Sequence, residues 1–152
     1  MTSAERSHQM SLVKSTKTKP EKIVRRIVRF LGYRFRSHVK TLPGSPDFVF
    51  PKQKKVIFVH GCFWHQHGAC RKDGKPRMPK SKLGYWRLKL INNRMRDDRV
   101  QHRLNRLGWG YFVVWECRLK TKRRLARLPA RIKAFLAQAR HRTGKTPVSL
   151  VK

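Results

Sequence analysis

The chain has 152 residues, with 39 Lys or Arg against seven Asp or Glu, a formal net charge of +32 at pH 7. That imbalance in a domain-sized chain calls for a polyanionic partner, and nucleic acid is the expected one. An apolar share of 39 % is too rich for a disordered basic tail, and runs such as Val56 to Val59 fall far short of the ~20 apolar residues of a membrane-spanning helix.

Residues 1–17 hold only isolated apolar points, Met10, Leu12 and Val13, and read as a flexible basic arm without the apolar stretch of a secretory signal. Thr18 then opens a helix as N-cap, with Pro20 in the first turn and Glu21 at the capping-box position. Ile23, Val24, Ile27, Val28 and Leu31 form its apolar stripe, and Gly32 ends it. Tyr33, Phe35 and Val39 roughly alternate with Arg34, Arg36 and His38, which predicts a strand before the turn Leu42-Pro43-Gly44-Ser45-Pro46. Two short strands are predicted at 47–50 and 55–60, the second apolar enough to be central. The segment 61–80 is dense in Cys, His, Gly and Pro and lacks periodicity, so inside a compact domain it needs a staple or a ligand. A long helix fits 82–107, with Leu88, Ile91, Met95, Leu104 and Leu107 predicted to face inward and Gly108 as its stop. Tyr111 to Trp115 is a further buried strand, followed by a basic helix over 122–142. This order predicts an α/β fold: one domain with a mixed central sheet flanked by helices.

Three cysteines suit a disulfide framework badly and a thiolate metal site well. Cys62, His67 and Cys70 fall as C-x4-H-x2-C, and Cys117 comes directly off the last strand, so the four can close a tetrahedral zinc site. The competing reading is three small buried thiols and a surface histidine. Asp47 follows a proline at a strand opening, like the first half of the PD-(D/E)xK nuclease signature, in which a carboxylate holds a divalent cation against a phosphate. The acid-x-Lys half is missing, and Asp47 as a turn cap competes with the nuclease reading. His60 or His65 can serve as general base beside such a phosphate, with Asp97 fixing the tautomer; a pair to Arg94 or Arg99 is the other use of Asp97. Phe63, Trp64 and Trp86 can wedge between base pairs, or Trp86 can pack on the sheet. Glu116 has no assignable role.

Thr18 to Glu21, Leu42-Pro43-Gly44-Ser45-Pro46-Asp47, the string from Val56 through His60-Gly61-Cys62-Phe63-Trp64-His65, and Gly108-Trp109 through Glu116-Cys117 resemble the very-short-patch repair (Vsr) DNA mismatch endonucleases. The likeness runs over most of the chain, and the His-Gly-Cys-Phe-Trp-His string is its most specific part. The resemblance implies a restriction-endonuclease-like fold and a nuclease that nicks double-stranded DNA 5′ of the T in a T:G mismatch left by 5-methylcytosine deamination. It places catalytic Mg2+ on Asp47 and the main-chain carbonyl of Val59, the general base on His65, its partner on Asp97, and further active-site positions on His60 and Glu21. Structural Zn2+ falls on Cys62, His67, Cys70 and Cys117, and the intercalating side chains on Phe63, Trp64, Trp86 and Met10. The implied protein is a monomer of the bacterial cytoplasm, at the nucleoid, working beside mismatch-repair proteins.

Relatives usually have His-x-Cys where this chain has His67-Gly68-Ala69-Cys70, so the zinc loop must absorb one residue. The domain reading is an arm over 1–17, an endonuclease domain over 18–120 and a basic tail over 121–152. A zinc-stapled, non-catalytic nucleic-acid binder and a nicking nuclease for another lesion are the competing functions.

Overall fold

The computed structural model describes Thr2, Ala4, Glu5, His8 and residues 17–139. Helix α1 spans Lys19–Phe30, and its capping box forms: Thr18 Oγ1 accepts the Glu21 N–H at 3.5 Å while Glu21 Oε2 accepts the Thr18 N–H at 3.3 Å. Strands β1 (Arg36–Ser37), β2 (Phe48–Phe50) and β3 (Lys55–His60) follow, then helix α2 (Leu83–Arg106), strand β4 (Gly110–Trp115), a 3-10 turn at Glu116–Leu119 and helix α3 (Lys122–Ala137).

The four strands lie in the order β1-β2-β3-β4, with β1-β2 and β2-β3 antiparallel and β3-β4 parallel, a mixed sheet with β3 inside it. The strand predicted over 33–39 shrinks to β1. Tyr33 and Phe35 pack edge-on against Phe50 and Phe48 instead of pairing, and His38 takes a left-handed φ of +53°, which ends the ladder.

Period-two alternation divides the core between the two faces of the sheet. Phe48, Phe50, Ile57 and Val114 point to one face, where α1 supplies Val24 and Val28 and α3 supplies Leu128, Ile132, Phe135 and Leu136. Val49, Val56 and Phe58 point to the other, where α2 supplies Leu104 and Val100. The basic stretch after Cys117 therefore closes the main core through α3. Buried Lys55 on β3 locks that helix down, donating to the Phe135 and Gln138 carbonyls at 2.5 and 2.6 Å and so capping its C-terminal end.

Helix α2 faces the sheet with a different stripe from the one predicted. Leu104 is buried, but Leu88, Ile91, Met95 and Leu107 are more than half exposed, and the inward positions are Leu90, Asn93, Asp97, Val100 and Leu104. Gly44 fixes how closely the chain crosses this helix: a Cβ there would stand 2.5 Å from Val100 Cγ1, and its φ of +76° also requires glycine. That crossing delivers Pro46 and Asp47 to the start of β2. No helix among the described residues is long and apolar enough to cross a membrane.

Candidate active site and thiol cluster

His60 and Trp115 are register partners at the ends of parallel strands β3 and β4, so the chain leaving each strand enters the same edge of the sheet. After β3 it coils tightly, with the His65 N–H donating to the Gly61 carbonyl at 3.2 Å and the His67 N–H to the Cys62 carbonyl at 2.8 Å. After β4, Cys117 sits in the 3-10 turn. One donor atom from each of Cys62, His67, Cys70 and Cys117 lies within 4.8 Å of the others, and Cys117 Sγ is 3.6 Å from His67 Nδ1. His67 is held flat on Trp115, ring centroids 4.2 Å apart at 8°. Burial pushes the Cys62 thiol up to about 12 and raises Cys117 as well, so a cation is the natural means of ionising them. Three sulfurs and one imidazole nitrogen fit a tetrahedral soft-metal site. Within this loop the chain passes so close to itself at Gly68 that a Cβ there would come within 2.4 Å of the Gly74 carbonyl oxygen. Glu116, unassigned by sequence, accepts the Cys62 N–H at 3.3 Å and ties the start of the loop to the end of β4.

The second assembly lies on the α2 side. His65 Nδ1 is 2.5 Å from Asp97 Oδ2, which selects the His65 pairing over an arginine partner for Asp97. His60 stacks on His65 with ring centroids 3.7 Å apart and planes 2° from parallel. Burial drives the His60 pKa down to about 3, so that ring is neutral at physiological pH. Asn93, another inward residue of α2, donates to the Trp64 carbonyl at 3.3 Å and clamps the loop to the helix.

Asp47 accepts the Val59 N–H on Oδ2 at 2.7 Å, tying β3 to the entry of β2. Burial raises its pKa to about 6, against the opposing Val59 bond and with the Glu21 carboxylate adding to the rise. His38 stands between these acids: Nε2 is 2.7 Å from Glu21 Oε1 and Nδ1 is 3.9 Å from Asp47 Oδ1. Sequence reading placed His38 on the polar side of a strand and missed it, because nothing local signals a histidine lodged between acids from two other elements.

Phe63, Trp64 and Trp86 also meet, with centroids 5.1 Å (Phe63–Trp64), 5.7 Å (Phe63–Trp86) and 6.1 Å (Trp64–Trp86) apart, and Lys89 Nζ stands 5.7 Å from each of the two indoles. All three aromatics are partly exposed rather than packed into either core. Met10 lies outside the described residues.

A family model described as DNA mismatch endonuclease Vsr matches residues 1–72. The type II nicking enzyme V.XorIIP of Xanthomonas oryzae pv. oryzae is 48 % identical over 131 residues, covering 86 % of this chain and 91 % of that protein. The DNA mismatch endonuclease Vsr of Escherichia coli is 37 % identical over 122 residues, covering 80 % and 76 %. The chain belongs to the Vsr family. It is accordingly a DNA endonuclease, a hydrolase of phosphodiester bonds, and membership of this nuclease family implies a divalent metal. The type II nicking enzyme V.NmeAIP of Neisseria meningitidis, 41 % identical over 136 residues, covers 87 % of this chain and 94 % of its own.

Proposed function

We propose that this Vsr-family protein nicks double-stranded DNA 5′ of the T in a T:G mismatch of the kind left by 5-methylcytosine deamination, on a restriction-endonuclease-like fold. The observation that carries the catalytic assignment is the His60–His65–Asp97 stack and pair, set near enough to Asp47 for His65 to act on its charge. Asp97 accepts the His65 Nδ1 proton, which leaves the Nε2 lone pair free to take a proton from water attacking the phosphate. Neutral His60 holds the plane of that ring without adding a second positive charge. Asp47, with the main-chain carbonyl of Val59 and with Glu21 nearby, would hold Mg2+. When bound, that cation polarises the scissile phosphate and offsets the charge that builds on it.

Phe63, Trp64 and Trp86 form one wedge that opens the mismatched step, where unstacking costs least. Cys62, His67, Cys70 and Cys117 hold structural Zn2+ and fix the loop that carries both the wedge and His65. The basic surface supplies salt-sensitive phosphate contacts.

The test is a duplex with one T:G mismatch incubated with protein and Mg2+, beside a T:A duplex, EDTA and Asp47→Ala. A single nick 5′ of the T, absent from all three controls, is expected. Equal nicking of T:A, or undiminished nicking by Asp47→Ala, overturns the reading. Duplexes with other mismatches or a flap test the second reading, a nick at another lesion, which the relatives named simply as nicking enzymes favour.

A further inference from the structure

Two buried polar atoms face each other in this protein without satisfying each other. Glu21 Oε1 and His38 Nε2 are shielded from solvent and lie 2.7 Å apart, yet neither makes a hydrogen bond of acceptable geometry. Orphaned polar atoms in a core demand an explanation, and a bound ion is one. Glu21 itself is 2 % exposed. One donor atom each from Glu21, His38 and Asp47 falls within 4.8 Å of the others. Ligands at right angles around a cation at about 2.1 Å stand about 3 Å apart, close to the 2.7 Å between Glu21 Oε1 and His38 Nε2.

The backbone is committed to the same arrangement. His38 holds a left-handed φ of +53°, uncommon for a residue with a Cβ, and its N–H donates to the Asp47 carbonyl at 3.4 Å. A surface histidine on the polar side of a strand would need neither. The strained conformation turns the imidazole into the gap between α1 and the entry to β2.

We propose that His38 is a third ligand, with Glu21 and Asp47, of a divalent-cation site built from one nitrogen and two carboxylates. This rests on Asp47 being the nuclease cation ligand, and it sharpens which cation the site prefers. Magnesium favours all-oxygen shells, whereas an imidazole donor raises affinity for first-row transition ions such as Mn2+. The site therefore takes Mn2+ at least tenfold more tightly than Mg2+.

The test uses full-length protein loaded with one equivalent of Zn2+, so that the thiol cluster does not compete, and titrated with Mn2+ in the absence of DNA. Calorimetry gives affinity, and pulsed electron paramagnetic resonance reports a 14N coupling from a directly bound imidazole. Wild type is expected to show that coupling. His38→Ala is expected to lose it and to bind Mn2+ at least tenfold more weakly, with Mg2+ affinity within threefold of wild type. His38→Gln, which keeps a polar side chain for folding, is expected to lose the coupling too. Coupling absent from wild type, or retained in both variants, overturns the proposal. Asp47→Ala separates the two failures: if it binds Mn2+ like wild type, the reading of Asp47 as the cation ligand falls, whatever the result at His38.

Discussion

Cys62, His67, Cys70 and Cys117 face one another with soft donors drawn from one loop and the turn after β4, whereas Glu21, Asp47, His65 and Asp97 offer only oxygen and nitrogen and come from α1, the start of β2, the loop and α2. The thiol cluster offers four ligands, enough to close a tetrahedral shell around an ion with no position left open for substrate. The acid–histidine assembly is drawn from distant elements and exists only once both faces of the sheet are covered. The loop at 61–70 belongs to both, since Cys62 and His67 serve one and His65 the other. Soft ligands thus organise the loop, and hard ligands use it.

The comparison breaks most sharply at His65. Replacing it with Ala is expected to lower kcat for nicking by about 10²- to 10⁴-fold, the usual worth of a positioned general base, with DNA affinity unchanged. Fluorescence anisotropy on a labelled mismatched duplex measures the affinity. Parallel loss of binding and cleavage would move His65 from chemistry into architecture.

Cys117→Ser tests the other side. The variant is expected to lose stoichiometric zinc by elemental analysis and to melt about 10 °C or more below wild type, because metal binding free energy is folding free energy at such a site. Nicking then falls through disorder of the loop, and Mn2+ binding at Asp47 survives. Full zinc content with an unchanged melting temperature would leave the four residues as mere neighbours.

The legible parts of the molecule were those written locally. The capping box of α1 lies within Thr18 to Glu21, strand β3 within one apolar run, and three of the four members of the thiol cluster within the C-x4-H-x2-C spacing of Cys62, His67 and Cys70. The face of α2 was misread because two stripes compete on one helix. Leu88, Ile91 and Met95 are the more apolar set, yet the helix turns Leu90, Asn93, Asp97 and Leu104 inward. Two polar residues on that stripe lower its apolar score, and they are the ones that reach Trp64 and His65. Function and patterning disagree there, as expected where a buried face must also carry a site. His38 and Glu116 were opaque for another reason: each acts through a partner far away in sequence.

The smallest expected effect sharpens the contrast in stability rather than activity. The Asp47 carboxyl, ordinarily near 3.8, is raised to about 6 by burial. Between those values the folded protein holds a proton that the unfolded chain has released, so wild type loses stability as pH rises through this window and does not regain it above. Asp47→Asn keeps an oxygen to accept the Val59 N–H and carries no charge. Without divalent cation at the acid–histidine assembly, it is expected to be more stable than wild type at pH 8 by at most about 3 kcal/mol in urea melts, with the gain gone by pH 3.5. Adding Mg2+ or Mn2+ at pH 8 should narrow the gap, since only wild type has the carboxylate that binds them. A variant less stable than wild type at pH 8 would show that Asp47 supports the fold. The expected sign means the reverse: a thiol cluster would add stability when its metal binds, whereas the Asp47 carboxylate lowers stability until its cation arrives.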